Sequence, residues 1–147
     1  MCNLHFLSER ENEERQMGFH VKTSKTSDVA VLKLVKEISS FDNLGEYEKS
    51  IRLLSEVWKE KSNLPDIKNL SSSVAAELLL RCGATVGYLG SFKQTNTQEL
   101  SKNLLSDARN RFKQLFNEEK IAECENHLAL AYWRTGEYVE SKVWIDE

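Results

Sequence analysis

From residue 27 onward the apolar positions of this chain return at steps of three and four. Val31, Leu34, Val35, Ile38 and Phe41 trace one helical stripe, with Ser27 placed as its N-cap. After "LGEY" a second stripe follows with Tyr47, Ile51, Leu54 and Trp58. Pro65 marks the next break, because proline lacks an N–H and disfavours helix in the residue before it. A long helix over roughly residues 72–89 carries Leu78, Leu79, Cys82 and Val86 on one face and Leu80, Ala84 and Tyr88 on another. "GSFKQTNTQE" interrupts the pattern, and Asn96 with Glu99 has capping-box spacing. Leu100, Leu104, Ala108, Phe112 and Leu115 then line one face of a helix, residues 121–135 make a fifth, and Tyr138 opens a sixth. Residues 1 to about 25, with the mixed run "SERENEERQ", read as a solvated polar tail ahead of a helical domain spanning 26–147. The pattern predicts an all-α chain of about six paired helices and no strand.

The fifth helix is apolar nearly all round: "LALAYWRTGEY" places Leu, Ala, Tyr and Trp on several faces before stopping at Gly136. An ordinary surface helix has one apolar stripe, so this one needs neighbours on more than one side.

The punctuation repeats. "LGEYEKSI", "LGSF" and "TGEYVESK" set Gly45, Gly90 and Gly136 at intervals of 45 and 46 residues, each with an aromatic two positions later (Tyr47, Phe92, Tyr138). Glycine is favoured where a helix ends in a left-handed residue, so the pattern predicts three corners. These residues resemble the tetratricopeptide repeat (TPR). In the third copy Leu128, Ala129, Tyr132, Gly136 and Tyr138 match the family's packing Leu, small residue, aromatic, turn and opening aromatic. Cys82, Gly83, Val86, Gly90 and Phe92 match in the second copy, followed by Ala108 and Phe112 in its second helix. The first copy matches at Ile38, Phe41, Gly45 and Tyr47, but Glu37 stands where Leu is expected. Ser50 and Ser141 replace the usual Ala of the second helix, and about 13 extra residues, 93–105, lengthen the second copy. The spacing exceeds the usual 34-residue repeat. The resemblance, to TPR proteins of bacterial type with an extended second repeat, covers about residues 28–147. It implies an α-solenoid of about three TPR-like hairpins, acting as a scaffold that binds a peptide or helix in its concave groove.

On that pattern the groove is lined by Leu80, Ala84, Tyr88, Asn126, Leu130, Trp133 and Arg134, with Val35 and Ser39 further along. Apolar and aromatic residues edged by an amide and a cation suit an amphipathic helix or an extended peptide. Some TPR relatives hold acidic peptide C-termini in a clamp of Lys, Asn and Arg. The matching places here hold Val35, Ser39, Arg81, Glu123 and His127, so only Arg81 suits that ligand and the class is rejected. Gly83 fits the close-contact place, while Gly87 reads as a packing glycine or as one deepening the groove beside Tyr88. Other readings from the residues are a ligand- or peptide-sensing module with a pocket between Tyr88 and Trp133, and a structural oligomerisation module.

Composition narrows the classes. With 147 residues, 40% hydrophobic and 29% charged, the chain is one globular domain with a real core. A net charge of −3 gives no footprint for nucleic acid. No window approaches the ~18 apolar residues of a membrane span, and "MCNLHFLSER" lacks the form of a signal peptide. Three scattered cysteines, Cys2, Cys82 and Cys124, fit a reducing compartment, so a cytoplasmic protein is expected. Cys124 and His127 stand three apart, but a zinc site needs three or four ligands, and His5 and His20 lie in the tail. No phosphate loop or nucleophile elbow appears, so neither an enzyme nor a cofactor is expected. The last helix runs fewer than three turns and leaves Val143, Trp144 and Ile145 at its end. A solenoid normally finishes with a polar cap. The expectation is therefore a piece of a longer array that self-associates through its C-terminal end.

Overall fold

The computed structural model describes residues 27–61, 63–92 and 97–146. The expected polar tail, the Asn96 cap and the side chain of Phe92 lie outside the described residues. Among the described residues there are six helices and no strand: α1 (27–43), α2 (Tyr47–Val57), α3 (Ser72–Phe92), α4 (Thr97–Gln114), α5 (Glu118–Arg134) and α6 (Tyr138–Asp146). None is long and apolar enough to cross a membrane. α3 packs along α4, α4 along α5 and α5 along α6, while α3 also meets α5 and α2. The core runs through α1 to α5, from Val35, Ile38 and Leu54 to Leu78, Leu105, Phe112 and Leu128, and Trp144 of α6 packs against it.

Three helices end in the same way. Gly45, Phe116 and Gly136 take left-handed backbone with φ of 73°, 55° and 79°. At each corner the next amide reaches back five residues, Glu46 to Phe41, Asn117 to Phe112 and Glu137 to Tyr132, at 2.9–3.1 Å. The left-handed residue itself bonds three back, to Asp42, Lys113 and Trp133. This double bond is the Schellman closure, which satisfies carbonyls that a helix end leaves open. The expected corner at Gly90 is not one. Gly90 lies inside α3, where an added Cβ would collide with the Thr97 hydroxyl, so its small size admits the start of α4. Gly87 likewise is a packing position: a Cβ there would stand 2.7 Å from Ser101 Oγ.

A serine marks the same place in each hairpin. Ser101 Oγ on α4 donates to the Gly83 carbonyl of α3 at 2.7 Å, and Ser141 Oγ on α6 donates to Ala129 of α5 at 2.8 Å. Ser50 Oγ on α2 lies 3.4 Å from the Ile38 carbonyl of α1 and gives its proton to Asp42 Oδ1 at 2.6 Å. Ile38, Gly83 and Ala129 are spaced by 45 and 46 residues, the interval read from the glycines. The register of α4 is therefore set by Ser101 rather than Ala108, and the extension before it is shorter than the 13 residues expected. Ala108 and Phe112 instead fill the core further along.

α6 is short but anchored. Trp144 stacks on Tyr132 with ring centroids 6.3 Å apart, and the Arg109 guanidinium covers it at 4.8 Å. Lys102 lies over the Tyr132 ring at 4.4 Å and pairs with Glu137 at 2.6 Å. Of the three apolar residues at the end of the chain, only Val143 and Ile145 are exposed.

Candidate functional site

The seven residues expected to share a groove separate into three places. Leu80 and Ala84 are buried under α5, so they line no open surface, and Val35 is buried as well. Periodicity put them on the right face of α3, but that face is covered by the next hairpin. Tyr88 stacks on Tyr47 at 4.0 Å and 22°, beside a shallow recess of about 340 Å³ with Gly45, Lys49 and Arg52. Arg134 turns back towards α3, where its Nη1 would stand 3.0 Å from a Cβ on Gly87. Burial lowers its pKa against the opposing pull of Tyr47. Tyr88 thus lines a different hollow from the one that Trp133 lines. Asn126, Leu130 and Trp133 stay together, in an apolar cleft of about 490 Å³ completed by Ala129, Ser141 and Ile145. Leu130, Trp133 and Ile145 are 45, 59 and 66% exposed.

Counting outward from the serine bonds explains this cleft. Asn126, Leu130, Ser141 and Ile145 correspond to Leu80, Ala84, Ser101 and Leu105 in the second hairpin and to Val35, Ser39, Ser50 and Leu54 in the first. Apart from the half-buried Ser39, those earlier residues are at most 6% exposed. What covers them is the following hairpin, α5 over the second and α3 over the first. The cleft is the same surface, open in the third hairpin. Burying one large apolar side chain is worth about 1.5–3 kcal/mol, so a face with Leu130, Trp133 and Ile145 all uncovered favours an occupant.

The side of each hairpin's first helix that turns to the preceding hairpin is different. α3 and α5 meet the preceding hairpin with Ala75, Leu78 and Cys82 and with Ile121, Cys124 and Leu128, all buried. The corresponding residues of α1 are Ala30, Lys33 and Glu37, all exposed. The Glu37 that departs from the repeat pattern thus belongs to a polar face of α1.

Sequence reasoning missed the charged network that joins α1, α3 and α5. Arg81 is 1% exposed and reaches Asp42 of α1 at 3.4 Å and Glu123 of α5. Lys120 extends the chain of charges to Glu123 at 2.9 Å and to Glu77 at 3.1 Å. Burial works to raise Glu123, but Arg81 and Lys120 outweigh it and hold the carboxyl below its ordinary range. At Asp42 burial wins over Ser50 and Arg81, and the pKa is raised. Two places singled out for the peptide clamp, Arg81 and Glu123, therefore satisfy each other instead of facing a ligand. The signal was a charge at the middle of an apolar helix, Arg81 within "LLLRCGA".

Burial, aided by Arg81, lowers the pKa of His127 to about 4, which leaves the ring neutral. Burial also pushes the Cys124 thiol up to about 12 and raises Cys82, keeping both out of the thiolate range. Among the described residues no group of three His, Cys, Asp or Glu could hold a metal ion. No protein-family model, curated protein or solved structure matches this chain.

Proposed function

We propose that the chain is a non-catalytic protein-interaction module, a short α-solenoid of three TPR-like hairpins that takes a helix against the open face of α5 and α6. The reading keeps the interaction role inferred from the residues and moves its seat. The partner lies over Asn126, Leu130, Trp133 and Ile145, rather than along a groove that includes Leu80 and Ala84. The observation that carries it is the equivalence of this cleft to two surfaces of the same molecule, each of which is covered by a helix. Those helices show what fits: apolar or small side chains at i, i+3 and i+7, as in Ala75, Leu78, Cys82 and Ile121, Cys124, Leu128. Asn126 supplies a polar contact at the rim.

A fluorescein-labelled peptide with the sequence of residues 118–134 is the probe, because α5 already occupies the equivalent face of the second hairpin. Fluorescence anisotropy with the full chain is expected to show saturable binding that Ile145→Glu weakens at least tenfold. Absence of saturable binding, or binding indifferent to Ile145→Glu, would count against the reading.

A further inference from the structure

We propose a second, separate site: a phosphate group that keeps one proton, bound by Arg134 of α5 and Gln98 of α4 where both side chains reach Gly87 of α3. Arg134 is the starting point. Of the arginines among the described residues, Arg52 is exposed, while Arg81, Arg109 and Arg111 each meet a carboxylate. Arg134 is half-buried and has no carboxylate partner among the described residues. Burial works against its charge, and only Tyr47 works the other way. A guanidinium drawn partly out of water without a counter-charge favours an anion brought from outside the chain.

Gly87 brings the second group into play. A Cβ there would stand 3.0 Å from Arg134 Nη1, so the guanidinium comes this close to α3 only because the side chain is absent. Gln98 reaches the same residue from α4, its Nε2 donating to the Gly87 carbonyl at 2.8 Å. That bond fixes the amide's orientation, because only its nitrogen can give a proton to a carbonyl. Gln98 Oε1 is then left buried with no partner, in a residue only 8% exposed. Ser101 does not supply the missing donor, since its hydroxyl proton goes to the Gly83 carbonyl.

Two unmet demands beside one glycine define the ligand. It must carry negative charge to Arg134, and it must donate a proton to Gln98 Oε1. A carboxylate or a sulfate near neutral pH meets only the first, and water meets only the second. A phosphate that keeps one proton has P–O⁻ and P–OH on the same centre and meets both, and its oxygens suit the planar fork of a guanidinium. The recess beside Tyr47 and Tyr88 holds Glu46 and Glu48 against Lys49 and Arg52, so its charges balance and leave that of Arg134 uncancelled. Arg134, Gln98 and Gly87 do not line the α5/α6 cleft, and the site is independent of the helix-binding reading.

Titration of the ¹⁵N-labelled full chain with inorganic phosphate at about pH 6, where the ion keeps a proton, tests this. Saturable shifts are expected at the Gly87 amide and at the Arg134 Nε–H. Sulfate at matched ionic strength, with the same shape and no proton, is expected to bind at least tenfold more weakly. Arg134→Gln should abolish the shift at Gly87 with unchanged helical circular dichroism. Gln98→Met, which removes the acceptor, should bring phosphate and sulfate to equal affinity. Methyl phosphate separates the sources of the group. Binding as tight as that of the free ion assigns the site to a phosphomonoester, weaker binding assigns it to the free ion, and either supports the site. No saturable shift at Gly87, sulfate binding as well as phosphate, or binding indifferent to Arg134→Gln overturns the proposal.

Discussion

Ser141 donates its hydroxyl to the Ala129 carbonyl at 2.8 Å, across the α5–α6 interface, as Ser101 does to Gly83 across α3–α4. A helix carbonyl has a second lone pair, so the hydroxyl can join without breaking the helix's own bond. The bond requires a small side chain on the second helix and close approach of the two backbones. It therefore fixes the register of each pair, and the same register in three pairs makes the surfaces of the hairpins comparable residue by residue.

Removing these hydroxyls should cost stability in a fixed order. Ser101→Ala is expected to lose about 1 kcal/mol, the net worth of one buried hydrogen bond. Ser50→Ala should lose more, about 2 kcal/mol, because the Ser50 proton goes to the Asp42 carboxylate, a stronger bond than one to a carbonyl, and Asp42 in turn holds Arg81. Urea unfolding of the two variants checks the order.

Arg81 ties three hairpins through Asp42 and Glu123. Arg81→Met is expected to destabilise by about 3 kcal/mol, since it leaves a buried Asp42 carboxylate without its cation. Asp42→Leu in the Arg81→Met background should recover part of that loss. If the double variant is less stable than Arg81→Met alone, the electrostatic explanation fails.

His127 makes the fold sensitive to mild acid. Its folded pKa, about 4, lies below the ordinary 6.5, so the native state favours the neutral ring. That contribution is complete above pH 6.5 and is lost as pH falls from there towards 4, because the unfolded chain binds the proton first. The loss is on the order of 2–3 kcal/mol. His127→Gln is expected to flatten this part of the stability–pH curve, measured by urea midpoints between pH 7 and 4.

The corners test the backbone side of the fold. Phe116 is 88% exposed and left-handed at φ 55°, a conformation that a residue with a Cβ adopts at a cost of about 1–2 kcal/mol. Phe116→Gly is expected to gain about 1 kcal/mol after its greater unfolded-state entropy is allowed for. Gly136→Ala, at φ 79°, should lose about as much. Thermal denaturation resolves both, as changes of a few degrees in Tm.

Much of this arrangement is legible in the chain, and the boundary is physical. Steps of three and four locate the helices, and Gly45 and Gly136 locate two corners because left-handed backbone leaves a residue-type signature. The corner at Phe116 leaves none, since it is held by the bonds around it and not by the residue itself. Gly90 shows the converse, a glycine kept for close approach and not for a turn. At the site, periodicity places Leu80 and Asn126 at equivalent positions but says nothing of what lies over them. One is under α5 and the other faces solvent, a difference that depends on which hairpin follows. The Arg81 network was hidden for the same reason: Asp42 and Glu123 are 39 and 42 residues away along the chain.

The working surface can be mapped directly by two-dimensional NMR of the ¹⁵N-labelled chain titrated with the unlabelled 118–134 peptide. If the open junction of the third hairpin is that surface, amide shifts will concentrate on residues 126–133 and 138–145 and spare α1. Shifts centred on the Tyr47–Tyr88 recess or on Lys33 and Glu37, with α6 unmoved, would contradict it.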